Sequence, residues 1–169
     1  MIERIDICYY RIRKYFCFCI SRSNKQDTFA AEKILINKKY KMATLVGKKF
    51  PNLSVDAMNE MGDTFKVNVL EEAANNNKKV LLFWYPKDFT FVCPTELHAF
   101  QAALGEFEKR NTMVIGASCD TPEVHFAWLN QSKDNGGIEG VTYPLLADSN
   151  RNLSSILGIL DIANETFDE

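Results

Sequence analysis

The stretch from Val80 to Leu97, VLLFWYPKDFTFVCPTEL, constrains the fold more than any other part of the chain. It opens with an unbroken apolar run, Val80 to Tyr85, that is short and rich in aromatics. Such a run reads as a strand buried on both faces, of the kind found inside a parallel or mixed sheet. Pro86 ends the strand, and Lys87 to Val92 forms a short loop. Cys93-Pro94-Thr95-Glu96 then starts a helix whose apolar positions, Leu97, Phe100, Leu104 and Phe107, recur at helical spacing.

The order strand, tight loop, cysteine, helix has a chemical consequence. Proline is favoured at the first helical position, which needs no backbone donor, so Pro94 predicts Cys93 as the N-cap. Glu96 falls three residues on, where its carboxylate can reach back to the cap's N–H. The sulfur of Cys93 then sits over free N–H groups and the positive end of the helix dipole, both of which favour a thiolate. A helix N-terminus contributes roughly 0.3–2 kcal/mol. That is short of what a mostly ionised thiol needs at neutral pH, so a nearby cation is expected.

The segment Phe83-Trp84-Tyr85-Pro86-Lys87-Asp88-Phe89-Thr90-Phe91-Val92-Cys93-Pro94-Thr95-Glu96 resembles the active-site signature of the peroxiredoxins, of the alkyl hydroperoxide reductase C or typical 2-Cys type. The likeness runs from about Ala43 to Phe167. It includes Ser118-x-Asp120, His125-x-Ala127-Trp128 and Pro144 to Asp148. The resemblance implies a thioredoxin fold, a central mixed sheet flanked by helices. It also implies a thiol-dependent peroxidase acting on hydrogen peroxide and alkyl hydroperoxides. In that chemistry Cys93 attacks the peroxide and becomes a sulfenic acid, and Thr90 hydrogen-bonds peroxide and thiolate. Pro86 shields the intermediate from water, and Glu96 orients the surrounding network. Electrons would come from thioredoxin or a dedicated disulfide reductase, and the family's assemblies are homodimers or decamers. No prosthetic group or metal is called for, since the thiol carries the chemistry.

The resemblance also implies an arginine from a later strand and a resolving cysteine in a Val-Cys-Pro segment. Neither is matched here, and Arg110 and Arg151 do not correspond to the family's arginine. The expectation is a domain lacking roughly the last third of the family's length. The alternative to an enzyme is an inactive or holdase-like fragment that exposes apolar sheet surface. Gly136-Gly137-Ile138-Glu139-Gly140 partly resembles the Gly-Gly-Leu-Gly loop of overoxidation-sensitive members, with one residue extra.

Charge divides the chain near Met42. Residues 1–41 hold 10 Lys/Arg against 4 Asp/Glu, whereas residues 42–169 hold 10 against 18. The first part also holds Cys8, Cys17 and Cys19, shows no clean period, and reads as a basic, disordered extension. Met42-Ala43-Thr44-Leu45-Val46-Gly47 looks like a natural start for the family. The extension fails as a secretory signal, because its uncharged run from Tyr15 to Ser21 is too short and no small-residue cleavage site follows. No apolar run approaches the roughly 20 residues that span a bilayer. With a net charge of −2, composition suggests no nucleic-acid partner. A cytoplasmic location is the expectation.

Elsewhere, turn residues Gly62-Asp63 predict a β-hairpin, and Val69 to Ala74 a helix stopped by the asparagine run. Met113 to Ser118 predicts a second buried strand. Thr121-Pro122-Glu123 predicts a helix with Val124, Ala127 and Trp128 on one face. Pro144 to Ala147 reads as a short strand, and Leu153 to Leu157 as a helix stopped by Gly158. Cys119 is read as a packing residue, with ad hoc disulfide formation as the alternative, His98 as solvent-facing or packing rather than a ligand, and His125 as a structural residue near the wall of the site.

Overall fold

The computed structural model describes residues 50–90 and 93–160, together with the backbone of 5–12 and 15–22. Seven strands form one sheet: β1 (Ile5–Ile12), β2 (Tyr15–Arg22), β3 (Ser54–Met58), β4 (Thr64–Asn68), β5 (Lys79–Trp84), β6 (Thr112–Ser118) and β7 (Leu145–Ala147). Their spatial order is β1-β2-β5-β6-β7-β3-β4. The inner strands β5, β6 and β7 run parallel, and an antiparallel hairpin is attached at each edge. This is the mixed sheet that the apolar run Val80–Tyr85 predicts. The helices are α1 (Val69–Asn75), α2 (Cys93–Ala102), α3 (Leu104–Lys109), α4 (Pro122–Leu129) and α5 (Asn152–Leu157). None of the described helices is long and apolar enough to cross a membrane.

Alternation along β5 divides the core into two layers. Val80, Leu82 and Trp84 face an aliphatic layer with Val55, Val67, Ile115, Leu146 and the α5 residues Leu153 and Leu157. Phe83 and Tyr85 face a second layer with Cys93, Leu97, Trp128, Tyr143 and Leu145, and Leu81 packs against it. Gly116 of β6 makes room for that layer. A Cβ there would lie 2.8 Å from Leu145 and 3.2 Å from the Phe83 ring.

The hairpin β3–β4, the helices α1 and α5 and the strands β6 and β7 form where the sequence predicts them. Asn68 caps α1, its side-chain oxygen accepting from the backbone N–H of Leu70 at 3.1 Å. Gly158 stops α5 in the left-handed conformation, at φ 66°.

Three expectations are corrected. First, residues 5–12 and 15–22 are not a disordered extension. They pair with each other, and β2 pairs antiparallel with β5, Phe16 opposite Trp84 through Ile20 opposite Val80. Both stretches are rich in Ile, Tyr and Phe, which favour extended backbone, and β5 offers an edge to pair with. Residues 23–41 lie outside those described. Second, the single helix expected after Cys93 is two. At Ala103 the backbone N–H is shared between the carbonyls of Ala99 and Phe100, and α3 starts afresh. The apolar face still runs through, with Phe100 stacked on Phe83 at 4.1 Å and Phe107 beyond it at 6.2 Å. Third, the buried face of α4 is His125, Trp128 and Leu129, while Ala127 is exposed. A histidine holds the inward position because the loop after β5 supplies it with a carboxylate partner.

Candidate active site

The strand β5 delivers its chain end to the site. The backbone N–H of Tyr85 still donates to the Ala117 carbonyl at 3.0 Å, and Pro86, which has no N–H, ends the ladder. Pro86 and Lys87 are exposed, Asp88 turns inward, and Phe89 returns to the surface at φ 56°. A bulky residue with positive φ is strained, and such strain persists only where the surroundings fix it. Here the Phe89 ring lies 6.0 Å from that of Trp128. The Thr90 hydroxyl donates to the Lys87 carbonyl at 3.1 Å and closes the loop on itself.

Cys93 is the first residue of α2, one position further into the helix than its expected role as N-cap. Residue 92, which would then cap it, is outside the described set. Either position leaves the sulfur at the helix end where backbone N–H groups lack intrahelical acceptors. Cys93 is 2% exposed, within the aromatic layer of Phe83, Tyr85, Leu97 and Trp128. Glu96 is half-buried in the same first turn, and Pro86 and Thr90 belong to the loop that leads into the helix. The four residues read from the sequence therefore belong to one strand–loop–helix unit.

His98 is half-buried, with Nε2 3.2 Å from the Gly137 carbonyl. Cys119 is partly buried, and burial, reinforced by the Asp148 charge, pushes its thiol up. Cys17 and Cys19 of β2 stand in register with Phe83 and Leu81. Cys8 of β1 is directly opposite Cys19. Gly136 and Gly137 support the wall of the site. Trp128 Nε1 donates to the Gly136 carbonyl at 3.0 Å, and a Cβ on Gly137 would collide with the Gln131 carbonyl. Among the described residues no group of three or more His, Cys, Asp or Glu is placed to hold a metal ion.

The sequence reading passed over Asp88, and it took His125 as structural wall alone. Both are buried, and Asp88 Oδ2 lies 2.6 Å from His125 Nδ1. Asp88 also donates its backbone N–H to Asp120 Oδ2 at 2.8 Å, and the same oxygen accepts from the Ser118 hydroxyl at 2.8 Å. The Tyr85 hydroxyl lies 3.4 Å from His125 Nδ1. Burial, reinforced by the Asp88 charge, holds the Tyr85 phenol well above its usual range, so it stays neutral. The motif Ser118-x-Asp120 is the signal that could have pointed here, because its carboxylate reaches the loop.

A family model described as the AhpC/TSA family matches residues 46–167. The chain is 44% identical over 115 residues to peroxiredoxin-2 of Bos taurus, which covers 68% of this chain and 56% of that protein. It is 40% identical over 119 residues to alkyl hydroperoxide reductase C of Helicobacter pylori, covering 69% and 58%. The fold matches the reduced 2-Cys peroxiredoxin of Plasmodium vivax with a TM-score of 0.65 and 36% identity, covering 70% of this chain and 60% of that one. The chain thus spans less than two thirds of the length of these three relatives. With the strand–loop–cysteine–helix unit in place and the match running through most of the sheet, the chain belongs to the AhpC/TSA family of peroxiredoxins.

Proposed function

We propose that the chain is a thiol-dependent peroxidase in which Cys93 is the peroxidatic residue. The observation that carries this reading is the burial of Cys93 in the first turn of α2, three residues after the loop Pro86–Thr90 in the chain. The thiolate sulfur attacks one peroxide oxygen, an S–O bond forms as the O–O bond breaks, and the other oxygen leaves as water or an alcohol after taking up a proton. Sulfur is oxidised to the sulfenic acid and the peroxide is reduced. Thr90, whose hydroxyl is anchored by the Lys87 carbonyl, presents its oxygen as an acceptor and directs the peroxide. Pro86 limits water at the sulfur, and Glu96 orders the donors around it. A thiol then condenses with the sulfenic acid and releases water, and thioredoxin or a dedicated disulfide reductase reduces the resulting disulfide. The substrates are hydrogen peroxide and alkyl hydroperoxides, the compartment is the cytoplasm, and the assembly is a homodimer or a ring of dimers.

The test is the second-order rate of Cys93 oxidation by hydrogen peroxide with the other four cysteines changed to Ser. A rate orders of magnitude above that of a free thiol supports the reading, and Cys93→Ser should abolish it. A rate equal to that of a free thiol, or consumption that survives Cys93→Ser, overturns it.

A further inference from the structure

Among the described residues of the loop that precedes Cys93, the hydrogen bonds to the rest of the domain are made at one residue, Asp88. Its backbone N–H is held by Asp120 after β6, and its carboxylate by His125 on α4. His125 is in turn held by β7, with Nε2 3.2 Å from the Leu146 carbonyl. A carbonyl can only accept, so Nε2 carries a proton. Nδ1 then faces Asp88 Oδ2 at 2.6 Å with one proton between them. Both side chains are fully buried, so water does not compete for these bonds. The neighbouring residues of the loop give no comparable anchor. Pro86 and Lys87 are exposed, Phe89 is 50% exposed at positive φ, and the Thr90 hydroxyl bonds inside the loop, to the Lys87 carbonyl.

We infer that the buried Asp88–His125 pair is the positioning element of the site: it holds the loop 86–90 in the conformation that presents Thr90 and Pro86 to Cys93, without itself touching the reacting atoms. The pair links three elements that are distant in the chain, the loop, α4 and β7, and it compensates the strained backbone at Phe89. In its effect on the peroxide rate the inference rests on the peroxidase reading. In its effect on the loop it does not.

The test uses the full chain and two variants. Asp88→Ala removes the anchor, and Asp88→Asn restores a donor to Nδ1 when the imidazole is neutral. Amide hydrogen exchange over residues 87–90 should speed up by about tenfold in Asp88→Ala, more than in β5 or β6, and return to within about threefold in Asp88→Asn. The peroxide rate should fall in the same order, while alkylation of Cys93 by iodoacetamide, which does not use the loop's hydrogen bonds, changes little. Exchange that is unchanged in Asp88→Ala, or that rises equally throughout the domain, overturns the inference. If the unaltered chain proves unreactive to peroxide yet the loop still loosens on Asp88→Ala, the peroxidase reading fails and the positioning role stands. Should Asp88→Ala fail to fold, the nitrogen-15 resonances of His125 in the unaltered chain decide. A protonated Nε2 with a proton shared at Nδ1 is the expected result, and an unprotonated Nε2 overturns the inference.

Discussion

The two faces of the sheet bury comparable side chains but treat their polar groups in opposite ways. Each has a buried carboxylate at the C-terminal end of a parallel strand, Asp148 after β7 and Asp88 after β5. Asp148 is satisfied by backbone: its two oxygens accept from the N–H groups of Leu153 and Ser154 at 3.0 and 2.8 Å, and start α5. Asp88 is satisfied by a side chain 37 residues away, and its Oδ1 has no donor in good geometry among the described residues. The aliphatic face therefore uses a carboxylate to fix its own local structure. The aromatic face uses one to fix a loop relative to two separate elements, α4 and β7. The difference teaches that burial alone does not separate scaffold from site. What separates them is whether the buried polar group is spent on its own neighbourhood or on a distant segment.

Adjacent leucines of β7 put this contrast to its strongest test. Leu145 faces the aromatic layer and Leu146 the aliphatic one, and both are fully buried. Each change to Ala should cost about 2–5 kcal/mol in urea denaturation. Only Leu145→Ala should also change the rate at which Cys93 is alkylated. Equal effects of the two on Cys93 would break the distinction between the faces.

Alkali should act on the same face, with a smaller effect. Burial raises the phenols of both Tyr85 and Tyr143, and both belong to the aromatic layer. The folded state keeps protons that the unfolded chain loses near pH 10, so stability is full below about that pH and falls as pH rises above it. Tyr143→Phe should flatten that fall, at a cost of about 1 kcal/mol for the lost bond to the Leu97 carbonyl. Urea denaturation on either side of pH 10 measures both quantities, and an unflattened curve would remove Tyr143 from the account.

The smallest effect belongs to neither face. Lys66 and Asp56 pair at 2.7 Å across the β3–β4 hairpin, with 68% and 49% of their side-chain surface exposed. A double-mutant cycle should return a coupling of about 0.2–1 kcal/mol. A larger value would mean that the hairpin edge contributes more to stability than its exposure indicates.

The aromatic face was legible in the sequence where its pattern is local. The run Val80–Tyr85, the stop at Pro86 and the helix opening at Cys93 lie in one continuous stretch, so strand, loop and cysteine could be read together. The Asp88–His125 pair could not. Asp88 sits between Lys87 and Phe89 in what reads as a solvated loop, and its burial depends on a histidine from another helix. The hairpin of residues 5–22 was illegible for a related reason. Its charges and aromatics do not alternate cleanly, and its place is decided by β5, about 60 residues further along. On α4, the 3.6-residue period held, but the inward face was assigned to apolar residues because a histidine's buried partner is invisible from its own helix.

The sheet order carries a kinetic consequence. The two edge hairpins, β1–β2 and β3–β4, join residues close in sequence, and such units close within about 1–10 μs. The parallel centre, in contrast, needs two crossovers, and β2 can dock only on a strand that lies far along the chain. Loop-closure entropy has to be met before those contacts stabilise anything, so the centre governs the speed of folding. Cys93 opens the helix that follows β5, the strand on which this slow centre is built, so under the peroxidase reading proposed above its thiol reaches its working surroundings only after the long-range pairings are made.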